Sequence, residues 1–150
     1  MLPKPLRERL IARTSHHMSA SGKTGISKNN PPLIFVVDDN PDLTQMAQLI
    51  LADEGYQCQL FCDPEQVLQA FQNSSIRPDL LLTDFDMGSM NGLELTEHCR
   101  RTLPGLKVVL VSGTVEASIA LNHPVKINEF LSKPYRPKDL AALVKTLLAQ

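Results

Sequence analysis

The sequence predicts an α/β fold, a doubly wound sheet of five parallel strands with helices on both faces. Three observations predict it. From Leu33 onward, short apolar runs alternate with helical patterns five times over. The first run, Leu33–Val37, is continuously apolar and rich in β-branched residues, as a strand covered on both faces requires. Most of the helical segments carry a single apolar stripe, the pattern of a layer packed on a sheet.

The elements follow in order. After the Leu33–Val37 strand, Pro41–Glu54 reads as a helix with Leu43, Met46, Ala47 and Ile50 on one face and Gly55 at its end. Tyr56–Phe61 alternates, with Tyr56, Cys58 and Leu60 facing one way and Gln57 and Gln59 the other. That suits an edge strand with one wetter face and makes Cys58 a core residue. Pro64–Asn73 is the second helix, with Val67, Leu68 and Phe71 inward. Leu80–Thr83 is the third strand, and Asn91–Thr102 a helix whose Leu95 and Cys99 share a face. Val108–Val111 is the fourth strand. A short helix over Val115–Asn122 must stop before Pro124. Ile127–Leu131 is the fifth strand. Pro137–Ala149 is the last helix, with Pro137 in its first turn and Leu140, Leu143, Val144 and Leu147 in a stripe.

A chain of 150 residues, 43% hydrophobic and 21% charged, can bury one core without staples. No apolar run is long enough to span a bilayer, and the N-terminus lacks the apolar stretch of a secretory signal. The formal net charge of −1 conceals an asymmetry. Residues 1–32 carry six Lys/Arg against one Glu, a net of +5. Residues 33–150 carry nine against fifteen acids, a net of −6. The first 32 residues, poor in apolar groups, read as a basic, flexible extension or linker. Within them Gly22-Lys23-Thr24 lacks the upstream glycine of a phosphate loop, His17 standing in its place. Three cysteines fit a reducing compartment rather than a disulfide framework, so a cytoplasmic location is expected.

The chemistry sits at the strand ends. The first strand ends in Asp38-Asp39, the third in Asp84, the fourth in Ser112-Gly113 and the fifth in Ser132-Lys133-Pro134. In a doubly wound sheet these ends open on one rim. Carboxylates gathered there repel one another and call for a cation, and oxygen-only ligands select a hard ion such as Mg²⁺.

These residues carry a resemblance. From Leu33 the chain resembles the receiver domain of bacterial two-component response regulators. It does so in Val36-Val37-Asp38-Asp39, Leu81-Leu82-Thr83-Asp84, Met90-Asn91-Gly92, Val111-Ser112-Gly113 and Phe130-Leu131-Ser132-Lys133-Pro134. The resemblance implies a CheY-like, flavodoxin-like sheet of order 2-1-3-4-5 and a receiver domain over residues 33–150. It implies that Asp84 accepts a phosphoryl group from the phosphohistidine of a sensor histidine kinase or phosphotransfer protein. It further implies that Asp38, Asp39, Asp84 and the backbone carbonyl of Asp86 hold Mg²⁺. Lys133 and Ser112 would contact phosphoryl oxygens, and the backbone N–H groups of Phe85 and Gly113 would complete the cradle. Ser112 and Phe130 would form the switch, acting on a surface of the fourth helix, fifth strand and fifth helix toward an unidentified effector. A homodimer is compatible with this reading; a membrane is not expected as a partner, nor is nucleic acid.

The chain departs from the family pattern in four places. Gly88 stands where Pro is usual, Asp86 brings an extra carboxylate near the metal, and Thr114 replaces an acid or amide. Asn122-His123-Pro124-Val125 replaces a small-residue link, and Pro124 should shorten the fourth helix. Two other readings stand beside the phosphorelay receiver, a signalling phosphoacceptor rather than an enzyme. Asp84-Phe85-Asp86 also resembles the nucleophile motif of haloacid-dehalogenase-type phosphatases, although the acidic pair here comes first and no cap segment follows. A phosphorylation-independent interaction module is the third reading. Because the chain ends soon after its last helix, it is expected to be a stand-alone regulator or a receiver from a longer sensor kinase.

Overall fold

The computed structural model describes residues 30–150. Five strands, β1 (Leu33–Val37), β2 (Gln57–Phe61), β3 (Leu80–Asp84), β4 (Lys107–Ser112) and β5 (Glu129–Ser132), alternate with five helices. These are α1 (Pro41–Asp53), α2 (Pro64–Asn73), α3 (Gly92–Thr102), α4 (Ala117–Leu121) and α5 (Pro137–Leu148). All pairings are parallel, and the sheet order is β2-β1-β3-β4-β5, as expected. Pro31–Gln150 is one compact unit. The expectations for the basic extension, apart from its last three residues, lie outside the described residues. Among the described residues no helix is long and apolar enough to cross a membrane.

The two-residue period of the strands sorts the core into layers. Ile34, Val36, Leu80, Leu82, Val109 and Val111 face one side and meet Ala47 and Leu51 of α1 and Leu140, Val144 and Leu147 of α5. Phe35, Val37, Leu81 and Val108 face the other and meet Val67 and Phe71 of α2 and Leu95 and Cys99 of α3. Leu110, Leu93 and Ala120 form a smaller cluster beside α4. Phe35 carries the second layer, its ring 4.9 Å from Phe61 and 5.9 Å edge-on from Phe71.

Four expectations shift. The buried face of α1 runs through Thr44, Ala47 and Leu51, and Met46 is exposed. Thr44 is tolerated inside because its hydroxyl donates to the Pro41 carbonyl at 2.9 Å. Cys58 is half-buried rather than central, because β2 is the edge strand and has a neighbouring strand on one side only. α4 has five residues and ends at Leu121, before Pro124, shorter than the periodicity indicated. β5 begins at Glu129, since Asn128 uses its side-chain oxygen to accept from Val108 N–H before regular pairing starts.

Candidate functional site

Sheet register brings the strand ends together. Val37 of β1 pairs with Thr83 of β3, so Asp38 and Asp84, one residue on in each strand, lie side by side at the rim. Asp84 in turn pairs with Val111, and Ser112 with Ser132, which puts Lys133 two strands away on the same rim. The chain leaves β1 toward β2 on one side and β3 toward β4 on the other, and that reversal opens the crevice the acids line. The path from β3 back into α3 needs Gly92. A Cβ there would overlap the Asp84 carbonyl oxygen and lie 2.7 Å from Leu110 Cδ1. Gly88, in the loop between, has φ +79°, which proline cannot adopt. That accounts for the departure at this position.

One carboxylate oxygen each from Asp38, Asp39 and Asp84 can be chosen so that all lie within 4.8 Å of one another. Asp38 and Asp84 are only 7% and 6% exposed, whereas Asp39 is open to solvent. Asp38 is held at both oxygens. Oδ1 accepts from Asn40 N–H at 2.9 Å and Oδ2 from Lys133 Nζ at 2.9 Å. Lys133 Nζ also donates to Asp84 Oδ1 at 3.0 Å. One ammonium thus bridges two carboxylates in a group of three. Burial pushes the Asp84 carboxyl above its ordinary range; the Lys133 hydrogen bond opposes this, and the negative charges of Asp38 and Asp39 reinforce it. Burial would lower the Lys133 pKa, but its bonds and charge attraction to Asp38 and Asp84 outweigh that and raise it. The two shifts have different main causes, burial for Asp84 and the two carboxylate partners for Lys133, and the site as a whole carries more negative than positive charge. An all-oxygen donor set with that excess fits a hard divalent cation.

The other predicted residues divide. Ser112 is buried at the end of β4, and its Oγ accepts from Thr114 N–H at 3.1 Å and Val115 N–H at 2.9 Å. Gly113 lies beside Lys133, and a Cβ on it would sit 3.6 Å from Lys133 Cβ. The Phe85 N–H donates to the Val111 carbonyl at 2.9 Å, so it belongs to the sheet ladder here and not to the cradle. Phe130 pairs with Leu110 and is half-buried against Leu93, Leu110 and Ala120, neither a closed core residue nor a free surface ring. The Asp86 carboxylate is not part of the acidic group; its Oδ2 accepts from Thr114 Oγ1 at 2.5 Å. Sequence reasoning singled out both residues but not their bond, which depends on how two loops approach each other. Behind the acids, Val36, Leu43, Ala47, Leu82, Pro134 and Tyr135 help line a largely apolar cavity of about 270 Å³.

Known proteins resemble this chain in sequence and fold. Residues 34–145 match the model of the response regulator receiver domain. MtrA of Mycolicibacterium smegmatis, described as a DNA-binding response regulator, is 32% identical over 115 residues, 77% of this chain and 50% of that protein. Hybrid signal transduction histidine kinase C of Dictyostelium discoideum is 28% identical over 150 residues, 93% of this chain and 12% of that protein. The chain therefore spans about half, or less, of the length of these relatives. With relatives named for DNA binding, the expectation that nucleic acid is not a partner finds no support here. The solved CheY-like receiver domain protein of Methanospirillum hungatei JF-1 superimposes with a TM-score of 0.72 at 27% identity, covering 80% of this chain and 95% of that one. A response regulator structure from Chloroflexus aurantiacus gives 0.72 at 25% identity, over 81% of this chain and 100% of that one. The sheet order, the acids at its rim and the family match together make this chain a member of the response regulator receiver domain family, a two-component signalling domain.

Proposed function

We propose that Asp84 accepts a phosphoryl group from the phosphohistidine of a sensor kinase or phosphotransfer protein and that the acyl phosphate switches the domain. The observation that carries this is the group of three carboxylates within 4.8 Å, bridged by Lys133 between Asp38 and Asp84. Asp38, Asp39, Asp84 and the Asp86 backbone carbonyl would hold Mg²⁺. When bound, it offsets the charge on the transferring group.

The chain's own residues do the rest. A carboxylate oxygen of Asp84 attacks phosphorus, the P–N bond breaks, and its electron pair returns to the imidazole. Lys133, already within 3.0 Å of Asp84, is close enough to move its ammonium to a phosphoryl oxygen. Ser112 donates its hydroxyl to a second oxygen, and Gly113 N–H supports it. Phe85 joins this cradle only if its bond to Val111 opens. The response passes through β4 to Phe130 and the surface of α4, β5 and α5. Residues 33–150 act as the receiver and residues 1–32 as a basic extension or linker. The phosphatase reading is weakened by Asp86, whose carboxylate is engaged with Thr114 rather than the acidic group.

The test is incubation with acetyl phosphate, with Mg²⁺ or with EDTA, followed by intact-mass measurement. The wild type gains one phosphoryl group only with Mg²⁺, and Asp84→Asn gains none. Equal labelling of both proteins would refute the assignment.

A further inference from the structure

A hydrogen-bonded chain of three side chains runs from Ser112, the last residue of β4, through Thr114 in the loop that follows to Asp86 in the loop after β3. Thr114 Oγ1 lies 2.5 Å from Asp86 Oδ2 and 3.3 Å from Ser112 Oγ. The ionised carboxylate can only accept, so Thr114 must use its one hydroxyl proton on Asp86. In the contact between the two hydroxyls, Ser112 is therefore the donor. Ser112 Oγ meanwhile accepts from the N–H groups of Thr114 and Val115. Its proton points along the relay toward Asp86, and its lone pairs hold the loop that follows β4.

We infer that Thr114 is a positioning residue that restrains the switch. In the unphosphorylated chain its oxygen accepts a hydrogen bond from the Ser112 hydroxyl and its own hydroxyl ties the β4–α4 loop to Asp86, so the phosphoryl group must break this relay before Ser112 can turn to it. The inference rests on Asp84 being the phosphoacceptor. It concerns a different property, the threshold at which the loop yields.

The test titrates beryllofluoride, an acyl-phosphate mimic, into the full chain at constant Mg²⁺, with backbone amide NMR as the readout. Thr114→Val keeps the shape and removes the hydroxyl; Thr114→Ser restores it. Thr114→Val should saturate at roughly five-fold lower beryllofluoride, the equivalent of one net hydrogen bond. Thr114→Ser should follow the wild type. In the metal-free, mimic-free Thr114→Val protein, the Gly113 and Val115 amides should already move toward their positions in the saturated wild type, which a merely structural role would not produce. Asp86→Ala, which removes the relay's acceptor, should shift saturation in the same direction, and the double variant should gain no more than either single. Saturation of Thr114→Val at the wild-type concentration or above, unmoved amides, or fully additive effects would overturn the inference while leaving the phosphoacceptor intact. A wild type that does not respond to beryllofluoride at all would overturn both.

Discussion

Asp84 carries a charge that its surroundings oppose. It is buried, it faces Asp38 and Asp39, and it shares its lysine with Asp38. A carboxyl whose pKa is raised by folding lowers stability when ionised. Its contribution is undiminished below the ordinary value of 3.8 and falls as pH rises through the raised one. In metal-free buffer at neutral pH, Asp84→Asn should therefore be more stable than the wild type, by about 1 kcal/mol. Urea denaturation should show that gap at pH 7 and show it closing in acid. The cysteines behave by the same physics. Burial pushes Cys58 up to about 11 and Cys99 up to about 12, while Cys62 is exposed. An alkylating reagent at neutral pH should label Cys62 first and reach Cys99 only on unfolding, which peptide mapping would reveal. The half-buried Cys58 and the buried Cys99 are both neutral at pH 7, so the folded state should weaken as pH climbs from 9.0 toward these raised values.

At the scale of elements, the helix α3 depends on how its first turn is built. Asn91 Oδ1 accepts from Glu94 N–H at 2.8 Å, and Glu94 Oε1 accepts from Asn91 N–H at 3.1 Å. Asn91→Ala should cost about 1 kcal/mol. Gly92→Ala should cost more, about 1–3 kcal/mol, because the methyl group must displace backbone under Asp84. Thermal melts of the two variants would rank them, and a Gly92→Ala protein as stable as Asn91→Ala would contradict the close approach. Strands β1, β3 and β4 were legible from Leu33, Leu80 and Val108 onward because strands covered on both faces carry consecutive apolar residues, interrupted here only toward their ends. The edges were less so. Met46 carries the helical period of α1 but faces solvent, since a satisfied threonine, Thr44, takes the inner position. β5 starts late because a side chain, Asn128, replaces a rung that periodicity cannot reveal. The acids and Lys133 were legible as strand-end residues; the Thr114–Asp86 bond was not, because two loop conformations set it.

At the scale of the molecule, the net of −6 on residues 33–150 has a local focus at the rim, where three carboxylates meet one ammonium. Mg²⁺ binding to the folded state alone should raise the melting temperature of the wild type in proportion to the logarithm of its concentration. Asp84→Asn, with one carboxylate fewer, should gain less. The same focus offers the proposed phosphorylation of Asp84 a route to the surface of α4, β5 and α5. A phosphoryl group adds charge beside Lys133 and Ser112, both joined through β4 and β5 to Phe130. The most direct test is chemical mapping of the acyl phosphate. Protein treated with acetyl phosphate and Mg²⁺ is reduced with borohydride, which converts an aspartyl phosphate to homoserine, and its peptides are sequenced by mass spectrometry. Homoserine at position 84 alone, absent when Mg²⁺ is removed, is the predicted result. Homoserine at position 38, 39 or 86, or none anywhere while the protein remains folded, would contradict it.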